Sequence, residues 1–155
     1  PQLAAAGGQL IVIGGGEPRL ERAVSELSWR YPGHVGVYVG FDESLARRMF
    51  AGSDFLLMPS RFEPCGLSQM YAQRFGSLPV AHATGGLIDT VDDGVTGFLF
   101  QGASADALRH CLQRAFRVFR LPKLLNAMRR AAMLRPSGWD LAGREYRALY
   151  ERAVA

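Results

Sequence analysis

Four short apolar runs, Leu10–Ile13, Val35–Val39, Phe55–Met58 and Val80–Ala83, each followed by a turn signal, limit most strongly what this chain can fold into. Strands that are apolar without polar alternation lie buried on both faces, the condition of a parallel sheet covered by helices. The intervals between them carry apolar residues at spacings of three and four: Leu20, Ala23, Val24 and Leu27; Leu45, Ala46, Met49 and Phe50; Leu67, Met70, Tyr71 and Phe75. Each set is the stripe of an amphipathic helix. Repeated β-α units joined by right-handed crossovers predict an α/β fold, a Rossmann-like doubly wound parallel sheet. A short strand is expected at Phe98–Phe100. From Ala105 the pattern is helical only, with Leu108, Cys111, Leu112, Ala115, Phe116 and Phe119 on one face, a break at Pro122, and further helices after Lys123 and Trp139. These C-terminal helices are expected to cover the sheet.

The chain's 155 residues, 48% hydrophobic and 21% charged, are one domain's worth of length with enough apolar material for an ordinary core. No internal repeat, low-complexity tract or linker interrupts the pattern, so one domain over residues 1–155 is expected. A doubly wound sheet normally opens with a strand and its phosphate-side loop ahead of Leu10, so that first unit is expected to be missing. No run of ~18 apolar residues is present to span a bilayer, and PQLAAAGGQLIVIGGG lacks a basic start. The expectation is a cytoplasmic protein without membrane partners, plastidic if from a plant. Cys65 and Cys111 lie far apart with no CxxC or Cys/His cluster, so reduced thiols are expected, with no disulfide and no metal. A net charge of +4 and a pI near 9.5 would suit an anionic partner, but the excess falls after Arg109, in RVFRLPK and MRRAAMLR, at helical spacing among apolar residues. That is a solvated helical face. Without an aromatic-interleaved basic stripe, nucleic acid is not an expected partner.

In open α/β sheets ligands gather at the carboxyl ends of the strands, so the loops after the four runs are where chemistry is sought. After the first run, Gly14-Gly15-Gly16-Glu17-Pro18 has part of a dinucleotide-binding fingerprint, but GxGxxG would need glycine where Arg19 stands. The glycines suit a tight turn into a helix begun near Pro18, and Gly15 is kept as a candidate ligand contact. After the second run, Phe41 either stacks a planar base at the sheet edge or packs in the core. The third loop, Ser60 to Ser68, is the richest. It feeds a helix beginning near Leu67, whose unpaired amides around Gly66 to Ser68, helped by the Ser68 hydroxyl, suit sugar hydroxyls or a phosphate. Glu63 either accepts hydrogen bonds from a sugar and stabilises positive charge at an anomeric carbon, or caps the helix. Arg61 either meets phosphate or braces Glu63, or is a surface arginine. The fourth loop, Thr84-Gly85-Gly86-Leu87, offers a second phosphate contact, and two such loops side by side fit a pyrophosphate. His34, His82 and His110 have no paired base or nucleophile nearby in sequence and are read as structural.

These residues carry a family resemblance. SRFEPCGLSQMY followed by HATGGLIDTVDDGVTGFLF resembles the C-terminal half of bacterial glycogen synthases and plant starch synthases. The likeness runs over nearly the whole chain, with GGGEP, VGVYVGFDE and GWDLAGREYRALYERA in the family's order. It implies a GT-B architecture of two Rossmann-like domains with the active site between them. It also implies retaining transfer of glucose from ADP-glucose to the non-reducing end of an α-1,4-glucan. On this resemblance the chain is the nucleotide-sugar-binding C-terminal domain. Glu63 then falls on the motif glutamate beside the donor glucose, and Cys65, Gly66 and Leu67 line the sugar pocket. Ser68, Thr84, Gly85 and Gly86 face the phosphates, and Phe41 stands where an aromatic stacks on adenine. The implied ligands are ADP-glucose or ADP, with no separate cofactor and no metal. The α-1,4-glucan acceptor would be reached through an acceptor-side domain outside these residues.

Departures narrow the resemblance. The E-x7-E pattern of wider retaining GT-B enzymes would put a second glutamate at position 71, where Tyr71 stands. Glycogen and starch synthases resemble the chain there, which sets it apart from sucrose- or mannose-related transferases. Phe41 keeps the ring of a commoner tyrosine without its hydroxyl. The family's arginine and lysine contacts to the diphosphate, and the acceptor side with its KxGGL-type loop and histidine, are expected to lie elsewhere. A site without those cations and without a water-excluding partner loses most transition-state stabilisation, so the chain alone is expected to be inactive, binding ADP or ADP-glucose weakly at most. A non-catalytic nucleotide- or glucan-binding module is the reading of a different class. The intact Glu63 stands against it.

Overall fold

In the computed structural model, which describes residues 2–154, strands form where the apolar runs lie, but they belong to two parallel sheets, one in each of two units, Pro1–Met49 and Phe50–Ala155. In the Pro1–Met49 unit an alanine-rich opening makes a single unexpected helical turn, α1 (Gln2–Ala5). β1 (Leu10–Gly14) pairs with β2 (Val35–Val39), Leu10 opposite Val35 and Gly14 opposite Val39, and α2 (Pro18–Arg30) makes the crossover. Pro18 takes the first turn, where a missing N–H costs nothing, and the Gly16 amide donates to the Glu21 carboxylate at 2.8 Å. α3 (Glu43–Gly52) starts on Asp42, whose carboxylate accepts the Leu45 amide at 2.8 Å. Burial on both faces, expected from the apolar runs, is not found in this unit. Ile11, Tyr38 and Val39 are exposed, as are Leu20 and Ala23 of the expected stripe, with Val24 and Leu27 half-buried. Two strands and one crossover helix supply no second layer to cover both faces.

In the Phe50–Ala155 unit, β4 (Leu78–His82) lies between β3 (Phe55–Met58) and β5 (Phe98–Phe100), all parallel. The strand starts at Leu78, ahead of the expected Val80, because Pro79 is tolerated there. Its carbonyl side faces Gly97, and β5 joins the ladder only opposite Val80, so the missing N–H has no ladder acceptor to serve on that side. The core joins Leu78, Val80, Phe98 and Phe100 to Cys111 and Ala115 of α6 (Ala105–Phe119) and to Leu125, Met128 and Ala132 of α7 (Pro122–Leu134). Ser104 caps α6 by accepting the Ala107 amide at 3.1 Å, and Pro122 opens α7. The expected face of α6 is the one that packs, apart from an exposed Phe119. α8 (Trp139–Ala153) buries none of its described side chains, so among the described residues the C-terminal part of the cover comes from α6 and α7.

The largest departure lies in α4 (Ser68–Arg74), which follows β3 as α5 (Gly86–Thr90) follows β4. The expected stripe of Leu67, Met70, Tyr71 and Phe75 is not buried: Leu67, Tyr71 and Phe75 are exposed and Met70 is half-buried. Gln69, Ala72 and Gln73 face inward instead. The Gln73 side-chain amide donates to the Thr90 carbonyl at 3.0 Å and reaches Thr96 at 3.3 Å, while that of Gln69 serves the loop before its own helix. Buried polar groups are tolerated where their hydrogen bonds are made, and the side-chain nitrogens of Gln69 and Gln73 make theirs, joining α4 to its neighbours, while Gln69 Oε1 has no partner among the described residues.

Burial pushes the Cys111 thiol up to about 11, with the Arg114 guanidinium only partly offsetting it, whereas Cys65 is exposed. A disulfide-exchange reagent at pH 8 is expected to label Cys65 and leave Cys111 unmodified until denaturant is added, read by mass spectrometry. Because the folded thiol holds its proton more tightly than the unfolded one, the stability this burial carries is full below pH 9 and is lost as the pH rises towards 11.

Candidate functional site

The loops after β3 and β4, residues 59–67 and 83–85, leave the carboxyl ends of hydrogen-bonded neighbours and therefore emerge side by side. The Gly86 amide donates to the Glu63 carbonyl at 3.1 Å, closing one loop onto the other. Gly85 makes the approach with φ +47°, and a Cβ built there would overlap the Glu63 carbonyl oxygen, so only glycine fits. At the start of the first loop, His82 Nδ1 lies 2.8 Å from the Ser60 carbonyl. A carbonyl only accepts, so Nδ1 carries the proton. The first loop is thus tied to the second strand at Ser60 and to the second loop at Glu63.

Glu63 is half-buried, and its carboxylate makes no ion pair or hydrogen bond among the described residues. α4 has no side-chain cap, and its cap position is Leu67, so the reading of Glu63 as a helix cap does not hold. The amides of Gly66, Leu67 and Ser68 have no acceptor among the described residues, as expected of them. The second loop has less to offer than its sequence suggests. The Gly86 amide is taken by Glu63 and the Thr84 amide by the His82 carbonyl at 2.8 Å, which leaves the Gly85 amide and the Thr84 hydroxyl. The Gly86 amide is therefore a clasp between the loops. Cys65 is exposed with its sulfur 3.5 Å from the Gly66 carbonyl, and Leu67 and Ser68 are exposed. Arg61 is exposed and forms no ion pair with Glu63. On the Pro1–Met49 unit, Phe41 is 92% exposed, which removes the core reading of that ring, and Gly15 is exposed as well.

Sequence reasoning missed Gln69 and Thr90 and found no partner for His82. The legible signal for Gln69 was its repetition at Gln73, one turn on, which places two amides on one helix face. Among the described residues no group of three or more His, Cys, Asp and Glu side chains could hold a metal ion, and no helix is long and apolar enough to cross a membrane.

The family model described as glycosyl transferases group 1 matches residues 1–117. The chain belongs to that family. It is 78% identical over all of its 155 residues to the glycogen synthase of Xanthomonas campestris pv. campestris (strain 8004), covering 33% of that protein, and 64% identical over 149 residues to the glycogen synthase of Pseudomonas fluorescens (strain Pf0-1), covering 31% of it. The chain thus spans about a third of the length of the curated relatives it matches. Among solved structures, the catalytic domain of starch synthase IV from Arabidopsis thaliana, bound to ADP and acarbose, superposes with a TM-score of 0.85 at 32% identity, over 99% of this chain and 34% of that one. The resemblance to glycogen and starch synthases and the α/β fold of GT-B glycosyltransferases are both borne out.

The contact between the loops has a direct test. Gly85→Ala is expected to cost ~1–3 kcal/mol, the range for forcing an atom into a packed site, measured by urea denaturation against the unaltered chain.

Proposed function

We propose that these residues are the donor-binding part of a retaining glucosyltransferase that moves glucose from ADP-glucose to the non-reducing end of an α-1,4-glucan. The observation that carries the reading is the half-buried Glu63, whose carboxylate has no partner among the described residues, in the same loop as the unpaired amides of Gly66, Leu67 and Ser68. Identity of 78% to a glycogen synthase, and the likeness to a starch synthase described as bound to ADP and acarbose, support the choice of substrates.

In this reading Glu63 accepts hydrogen bonds from the glucose and stabilises the positive charge that develops at its anomeric carbon as the bond to phosphate breaks. The amides of Gly66 and Leu67, with Cys65 beside them, meet the sugar. The Ser68 hydroxyl, the Thr84 hydroxyl and the Gly85 amide meet the diphosphate, whose negative charge suits oriented N–H groups. No metal and no cofactor is needed in this scheme, since the leaving group is held by donors. The exposed ring of Phe41 is proposed, by itself, as a surface for stacking on adenine. Arg61 and Gly15 are secondary candidates for contact with the donor.

The chain offers a convenient test bed, because it can replace the matching residues of the Xanthomonas campestris glycogen synthase. That enzyme is expected to elongate glycogen with ADP-glucose, and Glu63→Gln to lower kcat by about 10²–10³-fold, the scale for losing one transition-state electrostatic contact. Titration calorimetry on the chain alone adds an independent check. If Glu63→Ala binds ADP-glucose as tightly as the unaltered chain does, Glu63 is not at the sugar.

A further inference from the structure

We propose that Gln69 is a positioning residue for the donor site, holding its loops in the geometry that turns their amides outward. The inference rests on the functional reading above and adds to it a residue that touches no substrate. Gln69 is 0% exposed, and its side-chain nitrogen lies 3.0 Å from the Cys65 carbonyl, 2.9 Å from the Gly66 carbonyl and 3.0 Å from the Thr90 hydroxyl oxygen. The Thr90 hydroxyl donates in turn to the Gly86 carbonyl at 2.7 Å, so it meets Gln69 as an acceptor. Three acceptors converge on one group, which fixes the amide with its nitrogen towards them; the reverse orientation would set oxygen against oxygen.

A trans peptide points its C=O and the next residue's N–H in opposite directions. With the Cys65 and Gly66 carbonyls drawn inward onto Gln69, the N–H groups of Gly66 and Leu67 are directed away from the buried amide. The same side chain reaches through Thr90 to Gly86, whose own amide holds the Glu63 carbonyl. A closed circuit therefore joins Glu63, Gly86, Thr90, Gln69 and Cys65, and one buried amide is linked to both loops. Its oxygen, Oε1, is buried without a partner among the described residues, so the side chain acts here through its N–H donors. Gly66 makes room for it, since a Cβ there would fall 2.5 Å from Oε1.

Steady-state kinetics of the glycogen synthase carrying this chain in place of its matching residues test the assignment. Gln69→Leu and Thr90→Val are each expected to raise the KM for ADP-glucose about fivefold or more, the effect of losing positioning at a hydrogen-bonded site, and to leave the KM for glycogen unchanged. Thr90→Ser, which keeps the hydroxyl, should stay within about twofold of the unaltered enzyme. A role in folding alone reduces the amount of active enzyme and moves neither KM, so an unchanged KM for ADP-glucose in Thr90→Val overturns the proposal even where Gln69→Leu does not fold. An inactive unaltered enzyme overturns the functional reading instead, and the two failures are told apart by that control.

Discussion

One main-chain hydrogen bond, from the Gly86 amide to the Glu63 carbonyl, carries the arrangement of the candidate site. Adjacent parallel strands stand ~4.8 Å apart, so the loops leaving β3 and β4 must either clash or interlock. They interlock because Gly85 has no side chain to place against Glu63. Once this contact is made, the choices around it narrow. The Thr84 amide turns back to His82, the Gly86 carbonyl turns to Thr90, and the Glu63 side chain is left as the part of that residue still free to act.

A loop that bends tightly at the end of a sheet has carbonyls that no strand or helix satisfies, and buried carbonyls without donors are costly. This accounts for the inverted helix α4. An apolar face turned inward would pack against the loops but leave the Cys65, Gly66 and Thr90 carbonyls unpaired. Two glutamines bring donors long enough to reach them, and Ala72 between them keeps the helix close. Leu67, Tyr71 and Phe75 are displaced to the surface as a consequence, not because their own preference is for water.

That displacement also marks where the sequence stopped being legible. Strand positions and helix faces with a single dominant demand, such as Phe55–Met58 or the Cys111 and Ala115 side of α6, follow from apolar periodicity and were read correctly. In α4 periodicity misled, because its burial answers to carbonyls at Thr90 and Thr96, far along the chain, and no local pattern reports them. The same limit applies to the loops. Their composition pointed to Glu63, Gly66 and Ser68, since glycine and a helix start are local signals. That the Gly86 amide is already occupied could not be read, because it depends on two loops meeting. Exposure of Ile11 and Tyr38 had a further cause: an apolar run states what a strand can bury, while the number of layers around it decides what is buried.

The two ends of Glu63 therefore have different duties. Its carbonyl is fixed by Gly86, and its carboxylate, two bonds beyond the Cβ, inherits that placement without any partner of its own. A carboxylate steadied by a salt bridge would have part of its charge neutralised and would be a weaker electrostatic partner for a developing cation. Steadying the backbone instead leaves the charge whole. It also moves the demand for accuracy from Glu63 to residues remote from any substrate, Gly85, Thr90 and Gln69, whose roles are visible only in the folded chain.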